Sequence, residues 1–443
     1  MALRDRLHAT EARPTEASAR RDDAYEKIKY DLHTRLVERL DLTALGKLDP
    51  QTLRAQLGVA ISALLAGDTL PLNRQERDAI SQELIDEIVG LGPLEPLLAD
   101  ATVSDILVNT AAVVYVERSG RIERTAVRFR DNEHLLQTIN RIVNRIGRRV
   151  DETSPMVDAR LPAGSRVNAI IPPLAVDGPI LSIRRFAAQP LSVADLINLG
   201  TLTRPMADFL QACVTARLNV LISGGTGSGK TTLLNALSAW VPETERIITI
   251  EDAAELRLQQ PHVVRLETRP PNIEGKGEVV ARDLVRNSLR MRPDRIIVGE
   301  VRSVEILDML QAMNTGHQGS MCTIHANSPR DAFTRINSMI GMSGVPMSES
   351  NMVLMSARAI DVVVQLSRGS DGRRRVVAVT EVTGAEGIVL QLQEIFTFNQ
   401  AGMDSAGNVV GRYEPTGVRP RAADRIERAG CPLPPELFGG VSE

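Results

Sequence analysis

The stretch LNVLISGGTGSGKTT, from Leu218 to Thr232, is the part of this sequence that decides how the rest is interpreted. Residues 224–231 satisfy the pattern G-x-x-x-x-G-K-[ST], in which a glycine-rich loop holds phosphate groups. The apolar run VLI at 220–222 predicts a buried strand before the loop, and the composition of residues 231–237 predicts a helix after it. A strand, a glycine loop and a helix in this order are the context that phosphate binding requires.

The residue types in the loop explain why a nucleotide is the expected ligand. Glycines let the backbone curl, so that successive N–H groups face a phosphate chain at the N-terminus of the helix. Lys230 is expected to reach the β- and γ-phosphates of ATP, and the Thr231 hydroxyl is expected to ligate Mg²⁺. The predicted nucleotide-binding residues are Gly224, Gly225, Thr226, Gly227, Ser228, Gly229, Lys230, Thr231 and Thr232.

The overall composition is that of a globular protein without a strong charge bias. The chain has 443 residues, of which 43% are hydrophobic and 24% charged. A net charge of −3 and an aromatic content of 3% do not favour a nucleic-acid-binding protein. No uncharged apolar run approaches the length of a membrane span, and charged residues at positions 4–6 interrupt any N-terminal signal segment. Since its three cysteines are scattered, as in a reducing compartment, we expect a cytoplasmic protein.

Changes of pattern along the chain predict its domain organisation. Apolar residues at helical spacing come first, short β-rich runs around one helix follow, and strands then alternate with helices. That alternation predicts a mostly parallel sheet covered by helices, and the last strands predict an antiparallel meander. The predicted segments are a disordered arm (1–23), a helical module (24–92), an α+β domain (93–189), a linker (190–204), a P-loop domain (205–415) and a C-terminal tail (416–443).

Two further apolar strands are predicted to end in carboxylates. The run IITIED at 247–252 brings Glu251 to a strand end, and RIIVGEVR at 295–302 does the same for Glu300. Ligands of parallel sheets bind at the carboxyl ends of the strands, so both side chains are expected beside the phosphate loop. Of Glu251 and the adjacent Asp252, one could orient the attacking water and the other could hold the Mg²⁺ shell, while Glu300 could polarise the water or bind the metal through it. Which carboxylate is the general base stays open at this point. The alternative for Glu251 and Asp252 is a surface acidic turn, and the alternative for Glu300 is an ion pair with an arginine at the edge of a buried strand.

Two histidines and three arginines complete the candidate site. His317 and His325 bracket the predicted strand 321–324, where they could sense the γ-phosphate or contact a neighbouring subunit; a histidine in the core is the alternative for His325. An arginine supplied in cis or in trans accelerates phosphoryl transfer by roughly 10³–10⁵-fold. Solvated surface is the ordinary location of an arginine. The candidates on strands of the preceding domain are Arg160, Arg166 and Arg184.

With these residues in place, the chain resembles the secretion ATPase superfamily of bacterial type II and type IV secretion and type IV pili. Four motifs match in order: GGTGSGKTT, ITIEDAAEL, RIIVGEVR and TGHQGSMCTIHAN. Within that superfamily, residues 251–278 and the stretch LPAGSRVNAIIPP at 161–173 are similar to the CpaF-type ATPases of Tad (Flp) pilus assembly. One departure is Ala253, where many relatives have proline, and the four-cysteine zinc module of pilus extension ATPases does not occur in the sequence.

The resemblance implies an α/β fold with a RecA-like P-loop domain, preceded by a smaller α+β domain and an N-terminal helical module. It also implies a hexameric ring that binds ATP and Mg²⁺ between the two domains. Hydrolysis would act on platform proteins at the cytoplasmic face of the inner membrane, driving Tad pilus assembly, and the same motor could serve retraction. We expect no nucleic-acid partner. The alternatives are a type IV secretion ATPase for conjugation or effector export, a RecA-like nucleic-acid motor and a small-molecule kinase.

Overall fold

The structure is a computed structural model in which the chain divides into two compact units, Met1–Phe186 and Ala187–Glu443. Its sheets and helices confirm the predicted α/β class: a RecA-like P-loop domain preceded by a smaller α+β domain and a helical module. The residues that the structure describes are 16–39, 49–67, 71–118, 120–145, 147–161, 164–185, 190–271 and 275–438.

The first unit begins with helices α1 (Glu16–Arg39), α2 (Pro50–Gly67) and α3 (Arg74–Val89). Helix α3 starts at a capping box, in which Asn73 accepts from the backbone N–H of Glu76 and the Glu76 carboxylate accepts from that of Asn73. Helix α1 takes in residues 16–23, which corrects the disordered arm predicted for 1–23; residues 1–15 lie outside the described residues. The shared core consists of Leu32, Leu36, Leu57, Ile61, Leu64, Leu65, Ile80 and Leu84.

An antiparallel sheet forms the rest of the first unit. A short helix, α4 (Glu95–Ala99), leads into it, and an amphipathic helix, α5 (Asn132–Arg145), packs its apolar side onto the core. The strands are β1 (Val103–Thr110), β2 (Val113–Arg118), β3 (Arg121–Arg124), β4 (Met156–Arg160), β5 (Arg166–Ile170) and β6 (Ile180–Arg184). Among the described residues their order is β3-β2-β1-β6-β5-β4.

The second unit is built on one large sheet. The parallel strands are β7 (Val220–Gly224), β8 (Ile247–Glu251), β9 (Val263–Glu267), β10 (Arg295–Val301), β11 (Met321–Ile324) and β12 (Val362–Arg368). The antiparallel strands are β13 (Arg374–Glu386), β14 (Val389–Met403) and β15 (Val409–Pro415). Within the described residues the order is β15-β14-β13-β12-β7-β11-β10-β8-β9. The predicted antiparallel meander at the end of the sheet is confirmed.

Helices cover both faces of this sheet. Val220 and Ile222 of β7 pack in one hydrophobic cluster and Leu221 packs in another, because successive side chains of a strand point to opposite faces. The helices are α6 (Val193–Asn198), α7 (Arg204–Thr215), α8 (Lys230–Ser238), α9 (Ala281–Ser288), α10 (Glu305–Asn314), α11 (Pro329–Gly341), α12 (Glu349–Ala359) and α13 (Ala423–Arg428).

The core of the second unit corrects two predicted segments. The predicted linker at 190–204 contains α6, which places Leu196 in the same hydrophobic cluster as β7. The predicted tail at 416–443 contains α13 and a 3₁₀ turn, Pro435–Phe438. Ile426 and Phe438 from this segment are buried in that cluster as well. Residues 190–204 and 416–438 therefore belong to the folded domain, because apolar side chains of both segments are buried there.

Candidate functional site

The glycine loop connects β7 to α8. Gly229 is the residue before the helix, with φ 95°, and Gly227 has φ 68°, a backbone region that glycine adopts without strain. At Gly224 a Cβ would lie 2.5 Å from Ser228 Oγ and 2.8 Å from the carbonyl oxygen of Leu366, so that only glycine fits. The first N–H groups of an α-helix lack acceptors within the helix, and this end of α8 is thus suited to bind an anion.

Side chains of the loop are held by its own carbonyl groups. Lys230 Nζ donates to the carbonyl oxygens of Gly224 and Gly225, both at 3.0 Å, and Ser228 Oγ donates to that of Gly225 at 2.8 Å. The ammonium group is thereby kept at the N-terminus of α8, where it adds to the positive end of the helix dipole. Thr231 follows as a half-buried residue in the first turn, so its hydroxyl is near the same helix end.

The strand order brings the predicted carboxylates to the loop's side of the sheet. Strands β7, β11, β10 and β8 are neighbours and all run parallel. In this register Ile324 faces Ser223, and Val298 faces Ile250. Glu251, Glu300, His325 and the phosphate loop therefore lie at one edge of the sheet, the edge at which parallel sheets bind ligands.

Glu251 is a buried carboxylate to which none of the cationic side chains that the structure describes donates a hydrogen bond. Its side chain belongs to a residue that is 5% exposed. Oε1 accepts from the backbone N–H groups of Glu255 at 2.9 Å and Leu256 at 3.0 Å, while Oε2 is buried with no hydrogen-bond partner among the described residues. Burial raises the pKa of the Glu251 carboxyl to about 7, although the two N–H donors act in the opposite direction. This group can therefore exchange a proton near neutral pH.

Close packing between neighbouring strands fixes the position of Glu251. A Cβ at Gly299 of β10 would lie 2.8 Å from Glu251 Cγ, so glycine is required for the two strands to approach. The carbonyl of Gly299 accepts a 2.6 Å hydrogen bond from Thr323 Oγ1 of β11. The side chain of Glu251 is consequently packed against β10, which β11 supports in turn, while the loop after β8 supplies its two N–H donors.

Glu300 has a different environment, because it is paired with a guanidinium group. Glu300 Oε2 accepts from Arg302 Nη2 at 2.6 Å and from Arg302 Nε at 3.0 Å. Arg302 Nη1 donates to Asp252 Oδ2 at 2.9 Å, so that one arginine joins the two acidic clusters. An edge ion pair was the alternative interpretation for Glu300, and Arg302 forms that pair, although sequence reasoning gave Arg302 no part in the site. Its place two residues after Glu300 was visible, but its contact with Asp252 depends on the pairing of β8 with β10.

The structure separates the two histidines by the length of β11. His325 follows the carboxyl end of that strand, on the side of the phosphate loop, and the next residue, Ala326, accepts a hydrogen bond from Gln365. His317 precedes the opposite end, where its carbonyl accepts from Ser320 Oγ at 2.7 Å. Its Nδ1 is buried with no hydrogen-bond partner among the described residues. The histidines thus do not form one cluster, and a role for His317 at a nucleotide would require a neighbouring subunit.

Comparison with known proteins assigns the chain to a family. The family described as "Type II/IV secretion system protein" matches residues 87–408. The chain belongs to this family. A putative conjugal transfer protein of Mycobacterium tuberculosis is 40% identical over 309 residues, which cover 68% of this chain and 87% of that protein.

Two further proteins are similar to this member of the type II/IV secretion family. The type IV secretion system protein PtlH of Bordetella pertussis is 36% identical over 320 residues, covering 65% of this chain and 93% of PtlH. A second similar protein is the VirB11 ATPase from the Brucella suis type IV secretion system, whose crystal structure was determined in complex with sulphate. Its sequence is 28% identical, the aligned part covers 65% of this chain and 95% of VirB11, and the TM-score is 0.34. In the part of this family member that the structure describes, no helix combines the length and apolar character of a membrane span.

The candidate arginines of this secretion-family chain form a row across the sheet of the first unit. Arg160 of β4 faces Arg166 of β5, and Arg166 faces Arg184 of β6. Arg160 Nε donates to the Gly164 carbonyl at 3.2 Å, and Arg166 Nη2 lies 4.0 Å from Asp158 Oδ1. Residues facing each other on neighbouring strands lie about 5 Å apart. The structure therefore brings the three predicted arginines together within their own unit.

Proposed function

We propose that this chain hydrolyses ATP, bound at residues 224–232, to power a machine of the type IV secretion class. The observation that carries the proposal is the arrangement at one sheet edge of a P-loop, its lysine and two strand-end carboxylates. Membership of the type II/IV secretion family supports it, and so do the relatives named above, a conjugal transfer protein and a type IV secretion system protein.

The loop and helix α8 supply the phosphate-binding groups. Backbone N–H groups of the loop bind the phosphate oxygens, and the Lys230 ammonium neutralises part of their charge. The Thr231 hydroxyl and the Glu300 carboxylate are oxygen donors of the kind that Mg²⁺ prefers, so the residues present fit the metal. Mg²⁺, when bound with the nucleotide, neutralises charge on the transferring phosphoryl group.

We assign to Glu251 the role of the general base, which accepts a proton from the attacking water. A general base works best when its pKa lies near the operating pH, and that of Glu251 is about 7. The partnerless Oε2 supports the assignment, since it is the oxygen that remains able to accept a proton from water. Glu300 is the less suitable acceptor, because Arg302 already occupies its Oε2 with two hydrogen bonds.

The named relatives favour the type IV secretion interpretation over the Tad pilus prediction. They are a conjugal transfer protein and a type IV secretion system protein. Tad pilus assembly is retained as a second candidate because residues 251–278 and 161–173 resemble the CpaF-type ATPases. Complementation of a strain lacking the gene distinguishes the two: we expect restored conjugal transfer or protein export, whereas restored surface pili alone would favour the Tad function.

We also propose that the chain works as a homo-hexamer on platform proteins at the cytoplasmic face of the inner membrane. The support is the resemblance to hexameric secretion ATPases and the row of arginines at Arg160, Arg166 and Arg184. In such a ring these arginines act on the nucleotide of a neighbouring copy. The RecA-like nucleic-acid motor remains the less favoured alternative, and strong stimulation of ATP hydrolysis by DNA would support it instead.

A mixing experiment tests the ring and its arginines together. Lys230→Ala and Arg166→Ala chains are each expected to lack activity. If an arginine acts on a neighbouring copy, mixed oligomers contain some sites with both residues intact, and phosphate release recovers on mixing. Sizing the protein with and without nucleotide accompanies the assay. Absence of recovery in confirmed mixed oligomers would contradict action between copies, and full activity of a monomer would contradict the hexamer.

A further inference from the structure

The hairpin formed by β12 and β13 contacts the phosphate loop. Arg374 Nε donates to the Gly227 carbonyl oxygen at 2.9 Å. A Cβ at Gly227 would lie 3.2 Å from Arg368 Nη1, and one at Gly229 would lie 3.3 Å from Arg374 Cδ. Two guanidinium groups from the hairpin therefore approach the loop, at residues to which sequence reasoning assigned no role.

A buried ion pair holds the turn of this hairpin in place. The Asp371 carboxylate accepts from Arg375 Nη2 at 2.7 Å and Nη1 at 3.1 Å, and from the backbone N–H groups of Arg373 and Val409, both at 3.1 Å. Hydrogen bonds from Arg375 hold the pKa of Asp371 well below its usual range. Arg375 is 7% exposed and lies over the ring of Phe398, 5.5 Å from the centroid. A turn with this many fixed contacts is a rigid support for Arg374.

The contact with Arg374 determines the direction of the next N–H group. In a trans peptide the C=O of one residue and the N–H of the following residue point in opposite directions. The only cis peptide among the described residues is Pro172-Pro173, so the Gly227–Ser228 peptide is trans. The Ser228 N–H makes a long 3.4 Å contact with the Gly225 carbonyl, the same oxygen that Lys230 Nζ approaches at 3.0 Å. The Ser228 N–H group therefore lies on the same side of the loop as the Lys230 ammonium, where a phosphate chain would bind.

We infer that Arg374 is a positioning residue for nucleotide binding. By holding the Gly227 carbonyl on the hairpin's side of the loop, it directs the Ser228 N–H toward the phosphates. Arg368 contributes a second positive charge beside the same glycine. This role rests on the proposed ATP-binding function, and it links the loop to the antiparallel end of the sheet.

Equilibrium titration of the full-length chain with MgADP and MgATP tests the inference. Arg374→Ala is expected to weaken both ligands about tenfold or more, the scale of a lost hydrogen bond from a charged donor. Arg374→Gln retains an N–H donor and is expected to recover most of the affinity. Arg373→Ala is the matched control, because it removes the same charge from an exposed neighbour, and its affinity is expected to equal that of the wild type.

The thermal unfolding midpoints of the free proteins, measured in parallel, separate positioning from folding. The inference requires weakened binding in Arg374→Ala with an unchanged midpoint, or affinity regained in Arg374→Gln. Wild-type affinity in Arg374→Ala would overturn it while leaving ATP binding intact. A wild-type chain that binds neither ligand would instead refute the proposed function, and this inference with it.

Discussion

Glu251 and Glu300 lie at the carboxyl ends of neighbouring parallel strands, yet the surroundings of the two carboxylates differ. Glu251 is buried beside Gly299, and its hydrogen bonds from the described residues come from two backbone N–H groups. Its burial raises the pKa of the carboxyl to about 7. Glu300 shares Arg302 with Asp252 in an ion-pair network that is partly exposed. Strand-end position alone thus does not define a catalytic role. The surroundings do, because they decide whether a carboxylate accepts a proton or stays bound to a cation.

The largest expected effect is the loss of turnover in Glu251→Gln. Removing a general base costs roughly 10²–10⁴-fold in kcat. Binding of MgATP should stay within a few-fold of the wild type, because the amide keeps the shape of the side chain. Phosphate release under saturating MgATP, beside direct nucleotide titration, measures both quantities.

Glu255→Gln is the control for that variant, as it makes the same chemical change four residues further along. Its kcat is expected to match the wild type. If Glu251→Gln retained near-normal turnover while Glu300→Gln lost it, the proton-accepting role would pass to Glu300 and the comparison would be reversed.

Stability should depend on pH through Glu251. Its carboxyl pKa is 4.5 in an ordinary environment and about 7 in the folded chain, so between these values the folded state binds more protons than the unfolded state. The free energy of unfolding therefore falls as pH rises from 4.5 through 7. Relative to Glu251→Gln, which cannot ionise, the wild type should lose about 3 kcal/mol across this window. Urea unfolding of both proteins at pH 5 and pH 8 measures the difference; an equal difference at both values would contradict the raised pKa.

Gly299→Ala should displace the buried Glu251 side chain by a steric clash alone. Its Cβ would lie 2.8 Å from Glu251 Cγ, closer than carbon atoms approach without displacement. Overpacking of this kind typically destabilises by about 1–3 kcal/mol. We expect a lower urea midpoint together with reduced kcat. Gly341→Ala, where a Cβ meets nothing within 4 Å, is the control, and equal effects of the two substitutions would show that the contact is unimportant.

The smallest expected effect concerns the ion-paired carboxylate. Arg302→Lys keeps the charge but cannot contact both Glu300 and Asp252 in the geometry of a planar guanidinium. Losing one charged hydrogen bond at the site should reduce kcat about tenfold, with Arg302→Ala reduced further. Steady-state kinetics over a range of Mg²⁺ concentrations provide the measurement. Wild-type kinetics in both variants would mean that the network is only a surface feature.

Much of the fold was predictable because local signals agreed with tertiary structure. Helix α11 begins at Pro329 directly after its capping residue Ser328, and both residue types are helix-start signals that are visible in the sequence. Helix α12 was not predicted, since its buried residues include the small side chains Ser356 and Ala359, which give little apolar periodicity. The β-rich run 121–129 indicates a longer strand than β3, which ends at Arg124; Phe129 instead donates its N–H to the Ala111 carbonyl, beyond the end of β1.

The sequence was sufficient to predict which residues form the candidate site, but not the surroundings of each residue. The P-loop could be identified from its glycines, and Glu251 from its place after an apolar strand. The raised pKa of Glu251 depends on burial against Gly299, a contact between strands β8 and β10. The roles of Arg302 and Arg374 likewise depend on which strands become neighbours. Separation along the sequence does not reveal such contacts, because strand order is a property of the tertiary fold.

Release of phosphate from MgATP by the full-length protein tests the central claim most directly, with Lys230→Ala compared at matched concentration and oligomeric state. The wild type is expected to release phosphate continuously, and Lys230→Ala to release none above background while unfolding at the same temperature. Near-normal hydrolysis by Lys230→Ala, or a wild type that neither binds nor cleaves MgATP in any oligomeric form, would contradict the assignment of the phosphate loop.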